Sequence, residues 1–345
     1  STQGYSSAAS DVYKRQLVMF AIIATFTSCT NDDITISYAT NFKINPSTVI
    51  APFTWEWQAG DLESFDTDYQ LRIRLLVYNS DGILQEEDTQ YFTNYSVMMN
   101  SSIVLPKGSY TAIAITDIIG KGSDFEYWIL KDYQRLADTH IDDAGYIGAQ
   151  NKILGISKTN VTVDGQPQND ISINVQPTGA IFFVWYRNIH TFSDVTRYTL
   201  SCAKTAENCI FSTDGSYSIV AKNNNGSYDW RISYLEVGDY LQYTGIYDYY
   251  YVLPVSNLNL KFRYTTSESS NQDLTPVMSI SPKAGEEWAF ILDLKDENND
   301  NEITYNYEMV NNPTPRSIFQ TQLKNVHQGN DIQANQQKLY LKDIK

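Results

Sequence analysis

In several stretches of the chain apolar and polar residues alternate one by one, the period of a strand with one face turned inward. Tyr69, Leu71, Ile73, Leu75 and Val77 alternate with Gln70, Arg72, Arg74 and Leu76 ahead of Asn79-Ser80-Asp81-Gly82. This predicts a strand with one buried and one wet face running into a turn. The run "YFTNYSVMM" predicts a second strand, and Pro106 and Gly108 in "LPKG" mark the turn leading to a third, "SYTAIAITDI". Residues 120–150 lose the alternation, and "DYQRLADTHIDDAG" fits either a short helix or a long loop. Order returns where Val161 and Val163 precede Asp164-Gly165 and Ile171, Ile173 and Val175 follow, the pattern of two strands around a turn. Ile181 to Tyr186 is apolar at every position, so that strand needs cover on both sides.

The second half repeats this logic. "TLSCAKTAENCIF" is followed by "YSIVAKNNNGSYDWRISYL", in which Asn225-Gly226 predicts a tight turn between strands. Leu258, Leu260, Phe262 and Tyr264 alternate with Asn259, Lys261 and Arg263, and Trp288, Phe290, Leu292 and Leu294 alternate again in "EEWAFILDLKD". Short strands, Gly, Asn and Pro turns and no sustained helical period make the chain all-β, with two packed β-sandwich domains. Pro177 and Gly179 stand between the two patterned stretches. The expected domains are therefore 29–177 and 178–310, followed by a polar tail at 311–345 that holds one last strand, "KLYLKDI". Composition agrees, because the 26 Tyr, 14 Phe and 6 Trp supply rings that pack well on a pleated surface.

One stretch breaks the pattern. Leu17 to Phe26 is apolar except for Thr25, follows Lys14 and Arg15, and gives way to Thr27-Ser28-Cys29 and then Asn31-Asp32-Asp33. A basic flank, a short greasy core and small residues after it are the parts of a secretion signal. As a helix the greasy run spans only about 15 Å, too short for a bilayer core that takes roughly 20 residues. "FTSC" resembles the lipobox of bacterial lipoproteins, with Phe26 where Leu is usual. The resemblance implies cleavage before Cys29, acylation of its thiol and a membrane anchor, since two or more acyl chains hold a protein to a bilayer where one holds only marginally. The acidic residues at 31–33 resemble the surface-export signals of Bacteroidetes-type lipoproteins. Residues 1–16 resemble translated adapter sequence and carry no functional reading, so 1–28 is taken as adapter-like residues plus signal peptide.

The lipobox ending at Cys29, "LRIRLLVYNSDGIL", "LPKGSYTAIAI" and the join "ISINVQPTGAIFFVWY" together resemble the FimB/Mfa2-type and broader fimbrillin-like lipoproteins of Bacteroidetes. That resemblance implies two tandem transthyretin-like, Greek-key β-sandwich domains behind a lipid-anchored N-terminus. It implies an outer-membrane protein facing the cell exterior, with a role as a fimbrial accessory, tip or anchor subunit and other fimbrial or surface subunits as partners.

Charge and candidate chemistry narrow the function further. With 40 acidic against 25 basic residues the formal charge is −15, a field of the wrong sign for nucleic acid or anionic lipid. The three histidines, His140, His190 and His327, lie far apart, and neither a nucleophile-elbow Gly-x-Ser-x-Gly nor a glycine-rich phosphate cradle occurs. His140 has Asp138, Asp142 and Asp143 nearby, either a metal or acid–base site or a solvated loop. Asp293 to Glu302 is rich in oxygen ligands but lacks the glycine of a calcium loop, which favours a charged hairpin turn. No catalytic residue, metal or cofactor is therefore expected. Cys202 and Cys209 in "CAKTAENC" form either a disulfide, which an oxidising compartment permits, or two buried thiols. Tyr243, Tyr247, Tyr249, Tyr250 and Tyr251 form either a ligand surface suited to glycans or sandwich core. The ligand-surface option carries the alternative function, a glycan-binding surface lipoprotein for nutrient capture.

Overall fold

The computed structural model describes residues 36–49, 69–94, 97–123, 125–145, 152–189, 192, 194–240, 245–295 and 304–311, with the backbone alone described at 123, 169, 239–240, 245–249 and 304–311. The first half of the chain contributes β1 Ser37–Asn45, β2 Tyr69–Asn79, β3 Leu84–Phe92, β4 Met99–Pro106, β5 Gly108–Gly120, β6 Trp128–Lys131, β7 His140–Asp143, β8 Leu154–Val163 and β9 Gln168–Asn174. The second contributes β10 Ala180–Arg187, β11 Val195–Cys202, β12 Lys204–Phe211, β13 Tyr217–Asn223, β14 Trp230–Glu236, β15 Gly245–Val252, β16 Leu258–Thr266, β17 Gln272–Asp273, β18 Met278–Ile280, β19 Glu287–Lys295 and β20 Thr304–Asn311. The described residues are essentially all-β, with their strands in several sheets in a sandwich-like arrangement.

Among the described residues the strands order as β4-β1-β9, β3-β2-β5-β8, β13-β12-β7-β6, β15-β10-β19-β20 and β14-β11-β16-β17, with β18 also on β16. Four of these sheets keep to one side of Pro177. The third does not, because β7 pairs antiparallel with β12 through Asn208–Asp142, Cys209–Ile141 and Ile210–His140. Residues 120–150, expected as a helix or loop, thus supply two short strands that carry the first half onto the second. The β12–β13 turn makes another link: Lys158 Nζ on β8 donates to Asp214 Oδ2 at 2.9 Å, and a Cβ on Gly215 would come within 2.8 Å of Thr111 on β5.

Three expectations from local pattern need correction. "YFTNYSVMM" is not one strand: β3 ends at Phe92 and β4 begins at Met99. β8 and β9 do not pair around Asp164-Gly165. β8 pairs with β5, and β9 lies parallel to β1 in a different sheet. Asn225 and Gly226 do adopt the positive φ of a turn, at 45° and 82°, but β13 and β14 on either side also belong to different sheets. Local pattern specifies where the chain turns, whereas pairing depends on which edges packing brings together.

Strand β10 has its expected cover. It lies between β15 and β19, and Phe182 packs on Phe290 with ring centroids 5.0 Å apart. Across the sandwich, Tyr186 meets Phe262 edge-on at 5.7 Å and lies 6.1 Å from Tyr198, and its hydroxyl donates to Ser233 Oγ at 2.9 Å. Strand β2 departs from the alternating expectation, because its supposedly wet face is also covered. Leu76 is buried, and Arg72 is only 3% exposed. Opposite Arg72 on β5 stands Asp117, at 1% exposure, which accepts from Arg72 Nε at 2.9 Å and from Nη2 at 2.7 Å. Arg72 Nη1 reaches Glu126 Oε1 at 2.5 Å, and Nη2 lies 3.4 Å from the carbonyl of Trp128, the first residue of β6. Burial works against the charge on Arg72, but the two carboxylates outweigh it and raise its pKa. Removing one member of such a group strands the other charges in the interior. Arg72→Ala should lower unfolding free energy by about 3–5 kcal/mol, read from urea denaturation. An Arg72→Met, Asp117→Leu double variant should lose less than the single one.

Candidate functional site

The residues singled out from the sequence divide into those the fold buries, the exposed or partly exposed His140 and its aspartates, and those outside the described residues. Cys29, Tyr243, His190, His327 and most of the acidic run, 296–302, lie outside the described residues, as does "KLYLKDI". Tyr247 and Tyr249 fall on β15, where only the backbone is described. Tyr250 and Tyr251 are buried, so neither lines a ligand surface. β15 pairs with β10, Phe182 opposite Tyr250 and Ile181 opposite Tyr251, so the two rings lie on opposite faces of a sheet that is buried on both at this point.

Tyr251 has a structural role. Its hydroxyl donates to the carbonyl oxygen of Leu154 at 2.5 Å and accepts from the Gly179 N–H, also at 2.5 Å, with Thr178 Oγ1 at 3.3 Å. Thr178 Oγ1 donates to the same Leu154 carbonyl at 2.6 Å. The Pro177–Gly179 join between the two halves is therefore tied to the start of β8 and to β15 through one phenol. Glycine is required at 179 by space, because a Cβ there would lie 2.4 Å from the Tyr251 ring. Burial also pushes the phenol pKa up, so it stays protonated. Tyr251→Phe keeps the ring and leaves these buried partners short of a bond, a cost of about 1–3 kcal/mol. The variant should show a lower urea midpoint with an unchanged far-ultraviolet circular dichroism spectrum.

Cys202 and Cys209 are both buried free thiols, and the disulfide option fails. The six intervening residues do not form a loop. Cys202 ends β11, and Lys204 to Cys209 runs extended along β12 in another sheet. The run along β12 carries Cys209 away from the end of β11, where Cys202 lies. Burial pushes both thiols up to about 12. A thiol reagent at pH 8 should leave Cys202 and Cys209 untouched in the folded Cys29→Ala protein and modify both once it is denatured. Reaction at either site in the folded state would contradict this packing.

His140 lies on β7 with its Nε2 3.7 Å from Asp142 and its Nδ1 3.9 Å from Asp132, while Asp143 turns away to pair with Lys152 at 2.5 Å. Lys152 Nζ also lies 4.8 Å from the centre of the Trp128 ring. A cavity of about 20 Å³ beside this pair, lined also by Cys202 and Tyr251, has room for about one water. No group of three or more His, Cys, Asp and Glu among the described residues is placed to hold a metal ion. No described helix is long and apolar enough to cross a membrane.

The surface feature with the most chemistry is the outer face of β14, β11 and β16, which sequence reasoning missed. Tyr234 on β14 is 43% exposed. The guanidinium carbons of Arg197 and Arg231 lie 4.5 and 5.5 Å from its ring centre. Arg197 Nη2 donates to Glu236 Oε1 at 2.7 Å, and the Tyr234 hydroxyl donates to the same carboxylate. These two bonds hold Glu236 below the usual carboxylate range. Across the face, Lys261 Nζ lies 4.6 Å from the centre of the Tyr228 ring and 2.5 Å from Asp273, which also pairs with Arg263 at 3.0 Å. A bulge creates the arrangement. Ser201 opposes Arg231 while Leu200 opposes Ser233, so Ile232 is an extra residue in β14, and Arg231 and Tyr234 both remain exposed three positions apart. The signal in the sequence was the pair of exposed-type residues spaced out of step with strand alternation.

No protein-family model and no curated protein sequence matches the chain. Among solved structures, it is similar to the fimbrial anchor protein Mfa2 from Porphyromonas gingivalis, at 12% identity over 79% of this chain and 97% of that one, with a TM-score of 0.43. It is similar to a candidate adhesin from Bacteroides thetaiotaomicron at 11% identity, 80% and 97% coverage and a TM-score of 0.46. A C-terminally truncated tip fimbrial protein, Mfa3 from Porphyromonas gingivalis, gives 12%, 79% and 99%, with a TM-score of 0.39. All three likenesses are distant.

Proposed function

We propose that this chain is a non-catalytic, adhesive protein of the bacterial cell surface, acylated at Cys29 and held in the outer membrane with its body facing outward. Its role is that of a fimbrial accessory, tip or anchor subunit, with other surface subunits as partners and no cofactor. The body is read as two tandem transthyretin-like, Greek-key sandwich domains meeting at Pro177. The observation that carries the proposal is the run from Leu17 to Cys29 ahead of an all-β body. A short greasy segment ending in "FTSC" suits export and acylation, and stacked sheets present broad faces and strand edges to neighbouring subunits. Charged residues within the body support a contact role. Exposed Arg231 and Tyr234 gather with partly exposed Arg197, Lys261 and Tyr228 on the β14–β11–β16 face.

The second reading is a surface lipoprotein that captures glycans. The tyrosines and arginines of that same face favour it, in place of the buried Tyr250 and Tyr251.

Expression in a Bacteroidetes-type host, followed by mass analysis of the N-terminus of the membrane-extracted protein, tests the anchor. The expected product begins at an acylated Cys29, resists release by salt, and is lost in a Cys29→Ala variant. A soluble product cleaved elsewhere would overturn the anchor and leave a secreted binding protein as the better reading.

A further inference from the structure

We infer that the β14–β11–β16 face binds glycans that carry isolated carboxylates, such as a terminal sialic acid or a uronic acid, through the guanidinium of Arg231. This rests on the surface reading above and names a ligand class for it. Arg231 is exposed, and among the described residues it forms no ion pair, whereas Arg197, Lys261 and Arg263 on the same face are each held by Glu236 or Asp273. Its planar group lies by the Tyr234 ring, which steadies it and leaves its N–H fork for a carboxylate. A neutral sugar that binds by stacking would have to compete with Arg197 and Arg231, which both lie within 5.5 Å of the centre of the half-exposed Tyr234 ring.

The flanking carboxylates select the rest of the ligand. Glu236 accepts bonds from Arg197 and Tyr234 and has lone pairs left for sugar hydroxyls, and Asp273 offers the same on the β16 side. These two acids, with exposed Asp229 nearby in sequence, repel a carboxylate-rich peptide or a densely charged polymer, and the chain's overall −15 adds to that. A single carboxylate avoids most of this repulsion. In physiological salt, charges beyond about 8 Å are largely screened, so one acid group feels the local cations and carboxylates and little of the chain's overall charge.

The test titrates the full chain with 3′-sialyllactose and with a galacturonic acid trimer, alongside lactose and the carboxyl-reduced trimer, by calorimetry and ligand-observed nuclear magnetic resonance. Binding is expected for one or both carboxylated sugars and for neither neutral one, and the two acidic arms tell sialic from uronic acid. Arg231→Gln should weaken binding about tenfold to a hundredfold. Arg231→Lys, which keeps the charge without the fork, should weaken it less. Both variants lie on an exposed position and should match the parent by circular dichroism. Equal binding of neutral and acidic sugars, an unchanged affinity in Arg231→Gln, or no binding of any of the four would overturn the proposal. The N-terminal mass is a separate readout. An acylated Cys29 with no sugar binding removes this site and keeps the anchor, while sugar binding without acylation does the reverse.

Discussion

The phenol of Tyr251 holds the chain at the point where its two halves meet. It bonds both sides of the Pro177–Gly179 join, from the carbonyl of Leu154 to the N–H of Gly179, and its ring occupies the space a side chain at 179 would need. Buried backbone groups need partners; the join finds some along β8, where Thr178 N–H donates to the Leu154 carbonyl and Ile156 N–H to that of Gln176, and the phenol supplies the partner of the Gly179 N–H. One hydroxyl that both donates and accepts meets that need for two segments at once. The pairing of β7 with β12 and the Lys158–Asp214 contact then extend the junction over a wider area. From Ser37 onward the described residues form one compact unit. Relative movement of the two halves would have to break a buried phenol bond, a strand ladder and an ion pair together.

Buried charge is the second element of the design. Arg72 lies where strand alternation calls for a wet position, yet its guanidinium bridges β5, Glu126 and the start of β6. An apolar residue could pack there, but it could not bind two carboxylates and a carbonyl at once. The directional bonds fix where β6 starts, and through β7 and β12 that placement reaches the other half. A buried guanidinium is costly unless every N–H finds a partner, which ties the position of residues 126–128 closely to the central sheet.

The outer face of β14, β11 and β16 reverses this use of charge. There the cations remain near solvent, two of them against the Tyr234 ring and one against that of Tyr228. A single extra residue, Ile232, brings Arg231 and Tyr234 onto the same exposed face. Regular alternation would have sent one of them into the sandwich. The face is polar and ordered by its own hydrogen bonds, properties that suit reversible contact at a surface.

Much of the fold was legible because strand periodicity is local. The extents of β2, β10, β16 and β19 follow from residue alternation or from an unbroken apolar run, and the turns at Asn79–Gly82 and Asn225–Gly226 follow from residues that tolerate positive φ. The apolar run at 17–26 and the acidic composition likewise need no coordinates to be read. Partner choice was not legible. β8 and β9, like β13 and β14, read as hairpins but go to different sheets, because a turn signal fixes where the chain bends and says nothing of which edge is free to accept it. The same limit explains the side chains. Cys202 and Cys209 look close in sequence but lie on strands of two different sheets, Tyr251 resembles a surface tyrosine until the fold buries it at the Pro177–Gly179 join, and Arg72 resembles a solvated one until Asp117 and Glu126 close over it. Sequence alone determined the strand chemistry and the greasy leader, since both depend on neighbours a few residues apart. Tertiary structure decided which polar groups are buried and which face solvent, since that depends on contacts between residues tens of positions apart.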